Sequence, residues 1–239
     1  MADQSKSELP ELTNFANNWL NPWLQAIEKN DFANAQKIAE VAVLELKSLL
    51  TCSESESSDN QKNTILVLAI VIRGLYDFSK LKSLTANADW HTNNRVIETV
   101  WGYLWDCRER IEFGRFCVSG TLINIIQSEL NEIELFYKKM FGPGKYSSPE
   151  ILIKRAICSI CQKELRKCEH RPGVIYSGKI CCCIPEDSKI KSISTVETPK
   201  DPRCRIWPWN CNGNRVKSAI MTTFRVDDFM ENDNWVEKN

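Results

Sequence analysis

Histidine is nearly absent: only His91 and His170 occur in 239 residues. General acid–base catalysis draws on histidine more than on any other side chain, so the stock of candidate bases is small. His91 stands in Asp89-Trp90-His91-Thr92 ahead of a helical segment, and reads as a residue packed by Trp90. The chain also has no Gly-x4-Gly-Lys-Ser/Thr phosphate loop, no Gly-x-Ser-x-Gly elbow and no His-Glu-x-x-His helix. Those absences exclude the readable forms of phosphate-loop, serine-hydrolase and zinc-protease chemistry. An enzyme or toxin with an unrecognised active site is the alternative they leave.

Long hydrophobic runs are lacking too. The longest, Ile65 to Ile72, is ended by Arg73 and falls far short of the ~20 residues of a membrane helix. The N-terminal Met-Ala-Asp-Gln-Ser-Lys-Ser-Glu has neither the basic start nor the apolar core of a signal peptide. These features predict no membrane partner and a cytoplasmic location.

What is present is an ordinary globular composition, 43% hydrophobic and 26% charged. The formal net charge is zero, yet it is unevenly spread. Residues 1–150 carry 15 Lys+Arg and 20 Asp+Glu, residues 151–225 carry 15 and 6, and residues 226–239 carry one and five. Cysteine follows the basic stretch: three of the 11 precede residue 150, and eight lie between 158 and 211. Without a secretory signal, such cysteines are read as thiols and metal ligands rather than as disulfides.

Hydrophobic spacing predicts five helices in the first 145 residues. Leu12, Phe15, Ala16, Trp19 and Leu20 open the pattern, which Trp23, Leu24 and Ile27 continue beyond Pro22. Asp31 is a candidate N-cap for a helix with the stripe Ala35, Ile38, Ala42, Leu46 and Leu49. A polar loop, Thr51 to Asn60, precedes a third helix from about Gln61 to Leu84, apolar nearly all round between Ile65 and Ile72 and therefore central. The fourth runs from about Thr92 to Phe113, with Val96, Ile97, Val100, Trp101, Leu104 and Trp105 on one face. The fifth runs from about Val118 to Phe141, carrying Leu122, Ile125, Ile126, Leu130 and Ile133, until Gly142-Pro143-Gly144 stops it.

After Gly144 the pattern changes. Ser148-Pro149-Glu150 predicts a short helix to about Ala156. Lys179–Ile184 and Lys189–Val196 read as strands joined by a turn at Pro185-Glu-Asp-Ser188. In the second, alternation puts Ile190 on one face and Ile193 on the other.

Between these segments lies Cys158-Ser-Ile-Cys161, six residues, then Cys168-Glu-His170. A Cys-x2-Cys turn offers two thiolates to one ion, and Cys-x-His offers two more donors, which makes the four donors of a tetrahedral zinc site. The predicted metal ligands are Cys158, Cys161, Cys168 and His170. Cys181, Cys182 and Cys183 follow, and one of them could replace Cys168 or His170. A thiolate-rich site without the His-x-Glu element of deaminases is read as closed and structural.

The string Cys158-Ser-Ile-Cys-x6-Cys-Glu-His-Arg-Pro-Gly-Val-Ile-Tyr-Ser-Gly-Lys-Ile-Cys181, with Val196-Glu-Thr-Pro199-Lys-Asp-Pro202 beyond it, resembles a short zinc-finger-like segment of uncharacterised bacterial and phage-related proteins. The resemblance covers residues 157–206. It implies a metal site to which Cys181 can contribute, and no particular activity.

The sequence thus predicts a mainly α protein: a helical bundle over 1–145, a zinc-stabilised β-hairpin module over 146–206, and a tail over 207–239 packing back on the body. The expected function is a non-catalytic, zinc-containing interaction or adaptor protein with a protein partner. Nucleic-acid binding through the basic 151–225 region is the first alternative, with Trp207 and Trp209 beside Arg203, Arg205 and Arg215 as a possible stacking surface.

Overall fold

The computed structural model describes residues 16–52, 58–115, 120–207, 209, 211–212 and 215–216. Leu12, Phe15, Val118, most of the polar loop and the acidic end lie outside the described residues. The fold is mainly α, with a small antiparallel sheet after the helices. It divides into two compact units, Met1–Glu134 and Leu135–Asn239.

In the first unit a π-helical turn, Ala16–Leu20, leads into α1 (Asn21–Glu28). Pro22 sits in the first turn of α1, where its missing N–H costs nothing. Asp31 accepts a hydrogen bond from Asn34 N at 3.2 Å and starts α2 (Phe32–Cys52). Ser58 and Gln61 form a reciprocal capping box at the head of α3 (Asp59–Thr85). Asn93 caps α4 (Asn94–Gly114), and α5 spans Thr121–Phe141. His91 lies in the short turn Trp90–Thr92 with its ring edge-on to Trp90, at 6.1 Å.

The central helix is α3, which packs on both α2 and α4. It buries Leu66, Val67, Ala69 to Ile72, Leu75, Phe78 and Leu81. The buried face of α2 is Ala35, Ala39, Ala42, Val43 and Leu46, whereas Leu49 is exposed. In α5, Ile123, Ile126 and Leu130 are buried and Ile125 is exposed. Both expected stripes were therefore rotated by part of a turn. Small alanines let α2 lie close to α3, and Gly114 does the same for α4: a Cβ there would overlap Val71 Cγ2. Trp23 anchors α1 by donating to Ser79 Oγ at 2.9 Å, and Ser79 donates on to Leu75 O.

One charged group is fully inside this unit. Asp77 on α3 is 0% exposed, ion-paired to Arg110 of α4 and lying 3.6 Å from Arg73. Burial raises its carboxyl above the ordinary range, and the two guanidiniums act against that rise.

The second unit contains a long two-stranded ribbon. β1 (Lys145–Cys158) pairs antiparallel with a strand over Cys183–Val196, from Tyr146 opposite Val196 to Cys158 opposite Cys183. Between them come two short strands, β2 (Ile175–Tyr176) and β3 (Lys179–Ile180), so the strand Cys183–Val196 is β4. β5 (Arg205–Ile206) borders β1 only at Lys145 and Tyr146. β6 (Cys211–Asn212) and β7 (Arg215–Val216) make a separate pair.

Two local expectations are corrected here. Residues 149–156 form a strand, not a helix. The Ser-Pro signal is overridden because Ile151, Leu152 and Ile153 gain a partner strand, and the residue before a proline favours extended backbone in any case. Pro185-Glu-Asp-Ser188 is not a hairpin turn but part of β4. Its turn character survives only as a positive φ of 51° at Asp187.

The ribbon also contains a β-bulge. Glu150 faces Ser192 while Ile151 faces Ile190, so Lys191 is an extra residue in β4. Lys191 and Ser192 both reach the Glu150 carboxylate, at 2.9 and 3.0 Å. Alternation is reset at that point. Ile190 and Ile193, expected on opposite faces, lie on one face with Ile151 and Ile153. The cross-strand ion pairs Lys154–Asp187 and Arg155–Glu186 are solvent-exposed and contribute little.

The buried ion pair yields a prediction. Asp77→Ala removes the buried carboxylate that two guanidiniums face and should destabilise the helical unit by about 3–5 kcal/mol. Asp77→Asn combined with Arg110→Gln should recover much of that loss. Urea unfolding of the single and double variants measures both.

Candidate metal centre

The centre sits at one end of the ribbon, in the connection between β1 and β4. At Cys158 the chain leaves the ribbon and turns sharply. Gln162 N donates to Cys158 O, and Cys158 N donates to Lys163 O, both at 2.9 Å. Gln162 adopts a positive φ of 58° to close this turn. Cys158 and Cys161 thereby project from one tight loop. A short 3-10 turn, Leu165–Lys167, then carries the chain back, and Cys168 follows it in extended backbone.

The ligand atoms of Cys158, Cys161, Cys168 and His170 all lie within 4.8 Å of one another. Two thiolates on one tetrahedral ion with metal–sulfur bonds of ~2.3 Å are separated by about 3.8 Å, so a set this compact can converge on a single cation. Cys158 is buried and the other three are half-buried. His170 Nδ1 is buried and has no hydrogen-bond partner. An imidazole nitrogen left so is costly, and a metal bond would satisfy it. The donor set and this orphaned nitrogen both fit a bound metal.

A fifth donor stands beside them. Cys181 Sγ is 3.7 Å from Cys158 Sγ, and Cys181 is buried. Its backbone is pinned, with Cys181 N donating to Val174 O and Cys181 O accepting from Gly173 N. Cys182 and Cys183 do not join the group. Cys204, remote in sequence, is a buried thiol.

The electrostatics show what a bound cation would change. Burial opposes ionisation of Cys158, but the N–H groups of Cys161 and Ile160 and the thiols of Cys181 and Cys161 outweigh it, lowering its pKa to about 6. Burial and the neighbouring Cys158 push Cys181 up to about 12, and they raise Cys168 as well. One thiolate thus forms readily and suppresses the others. A divalent cation reverses that repulsion and lets the set ionise together.

Two further residues position the site: Ser159, to which the sequence assigned no role, and Tyr176, which lies within the zinc-finger-like segment. Ser159 Oγ accepts from Cys182 N at 2.7 Å and donates to Ile180 O at 3.4 Å, and Ser159 N donates to Cys182 O. It ties the Cys-x2-Cys turn to the chain around Cys181. Tyr176 places its ring edge against His170 at 4.6 Å, and its hydroxyl accepts from Arg171 N at 3.0 Å. Tyr176 is set by the β2–β3 turn, where Ser177 and Gly178 both have positive φ. The Ser-Gly pair was the available signal for that turn. Nothing in the sequence reports the reach of Ser159.

Ser159→Ala should cost about 1 kcal/mol in stability and weaken affinity for an added divalent metal by about 10- to 100-fold. Competition against a chromophoric chelator reads the second effect, and an unchanged affinity would remove Ser159 from this role. Compared with protein-family models, curated proteins and solved structures, the chain has no match.

Proposed function

We propose that this chain is a non-catalytic interaction or adaptor protein, that its metal centre is a structural zinc, and that its contact surface is one face of the ribbon. The observation that carries the reading is the exposure on that face of Ile151, Ile153, Ile184, Ile190 and Ile193, each between 39% and 55% exposed. Contiguous apolar surface of this kind is uncommon on a protein that meets no partner.

Zinc follows from the donor set. Three thiols with one imidazole suit it better than magnesium or calcium, which take oxygen. Four protein donors fill a tetrahedron and leave no position for a reactive water, which favours a clamp over a catalyst. The connection from Cys158 to Cys183 buries little apolar side chain beyond Ile180, so a metal takes the place of a core. A thiol-based centre of this kind suits a reducing, cytoplasmic setting. Among the described residues, no helix is long and apolar enough to cross a membrane.

The nucleic-acid alternative is less well supported. Lys145, Lys154, Arg155 and Lys191 of the ribbon are each paired with a carboxylate. Trp207 is buried, stacks on Trp209 at 5.1 Å and packs against Tyr137 and Phe141. The tryptophans are thus engaged within their own unit rather than offered to bases.

Purified protein should contain about one zinc per chain, and Cys158→Ser should lose it. Removing the metal with a strong chelator should abolish the ribbon signal in the circular dichroism spectrum while the helical signal persists. A metal-free wild type of unchanged structure would defeat the zinc reading. RNA or DNA whose mobility shifts with the protein, in a strongly salt-dependent way, would favour the nucleic-acid alternative instead.

A further inference from the structure

We infer that the apolar face of the ribbon is the contact between two copies of this chain, packed ribbon on ribbon about a twofold axis at the Ile151–Ile190 pair. This rests on the interaction reading above and names the partner.

The register defines five successive cross-strand rows on that face. They are Ser147–Thr195, Pro149–Ile193, Ile151–Ile190, Ile153–Ser188 and Arg155–Glu186. The three middle rows are apolar but for Ser188, and the two outer rows are polar. A twofold axis through the central row lays each row on its mirror: Ile151–Ile190 on its own copy, Pro149–Ile193 on Ile153–Ser188, and Arg155–Glu186 on Ser147–Thr195. Isoleucine meets isoleucine at the centre, Pro149 meets Ile153, Ile193 meets Ser188, and the ion pair meets hydroxyls. That is the self-complementarity an isologous contact requires, with an apolar centre and a polar rim.

The bulge makes this arrangement possible. Were Lys191 paired in regular alternation instead of bulged, Ile190 and Ile193 would project from opposite faces. The opposite face carries Glu150, Lys154, Lys189 and Asp187, with Leu152 as its one exposed large hydrophobic side chain. It is a solvated face and provides an internal control.

Size and charge agree with a second copy. The exposed isoleucines present on the order of 400 Å² of apolar surface, at the level where such patches on monomers are usually functional. Two of them, with their polar rims, reach the roughly 1,000 Å² that a specific interface needs. The only charges in these five rows, Arg155 and Glu186, neutralise each other at 2.6 Å, and Lys145 beyond the outer row is paired with Glu197. No acidic or basic partner is selected, whereas an identical neutral ribbon of equal length fits. Face-to-face packing would also cover a ribbon that, as two strands alone, is marginally stable.

The test is the oligomeric state of the full, metal-loaded chain, by analytical ultracentrifugation across a micromolar concentration series. The wild type should be a dimer. Ile190→Asp and Ile151→Asp should each weaken it by about 30-fold or more, and the milder Ile190→Ser should act in the same direction. Leu152→Asp on the opposite face should remain dimeric. All variants should keep their zinc content and circular dichroism spectrum, which separates lost contact from lost fold. A wild type that stays monomeric overturns the inference, as does a dimer indifferent to Ile190→Asp. Amide protection of 149–153 and 188–193 in a monomer would show that another part of the same chain covers the face, and would also overturn it. A dimer that persists in protein shown to bind no metal would leave this inference standing and remove only the zinc reading.

Discussion

The second unit depends on the convergence of Cys158, Cys161, Cys168 and His170 at the end of the ribbon. Two strands of 14 residues, exposed along most of their length, have little apolar burial of their own. Their surface ion pairs contribute only fractions of a kcal/mol each. The connection that joins them is cysteine-rich and folded on hydrogen bonds to backbone. A cation bound by three thiols and an imidazole would fix both strand ends at once, because Cys158 faces Cys183 across the ribbon and Cys181 touches Cys158. The register and the bulge then place the isoleucines relative to that end.

The helical unit solves the same problem by ordinary means. It has a central apolar helix, close contacts through alanine and glycine, and caps at the helix starts. Its one departure is Asp77, buried with two arginines. An apolar residue in its place would pack without any desolvation cost, so the pair is better understood as specifying how α3 and α4 align than as adding stability. Once present, it cannot be half removed.

The ribbon links the metal to the proposed function. A clamp that only closed a loop would need no exposed isoleucines. A loose ribbon bearing such isoleucines would have no defined face to offer. Shifted by one residue at Lys191, the ribbon displays one apolar and one polar face, and a metal bound by the four donors would anchor its end. The chemistry of the centre and the shape of the surface are therefore parts of one arrangement.

Much of this was legible in the sequence. The helices announced themselves through 3.6-residue spacing and through the cap at Asp31, because those signals are local. The four donors were legible because metal chemistry restricts both residue type and spacing. What the sequence could not give was anything decided by a distant partner. Residues 149–156 carry a helix-start signal, and only pairing with β4 made them a strand. The buried face of α2 depended on how closely its alanines let α3 approach. The bulge at Lys191 is invisible to alternation, since it exists only as a mismatch between two strands. Cys181 came within 3.7 Å of Cys158 only after the β2–β3 turn had folded. The sequence by itself determined which residues could bind metal and which could be helical. The tertiary structure alone decided which donors meet and which isoleucines share a face, because both are set by the register of chain segments far apart in sequence.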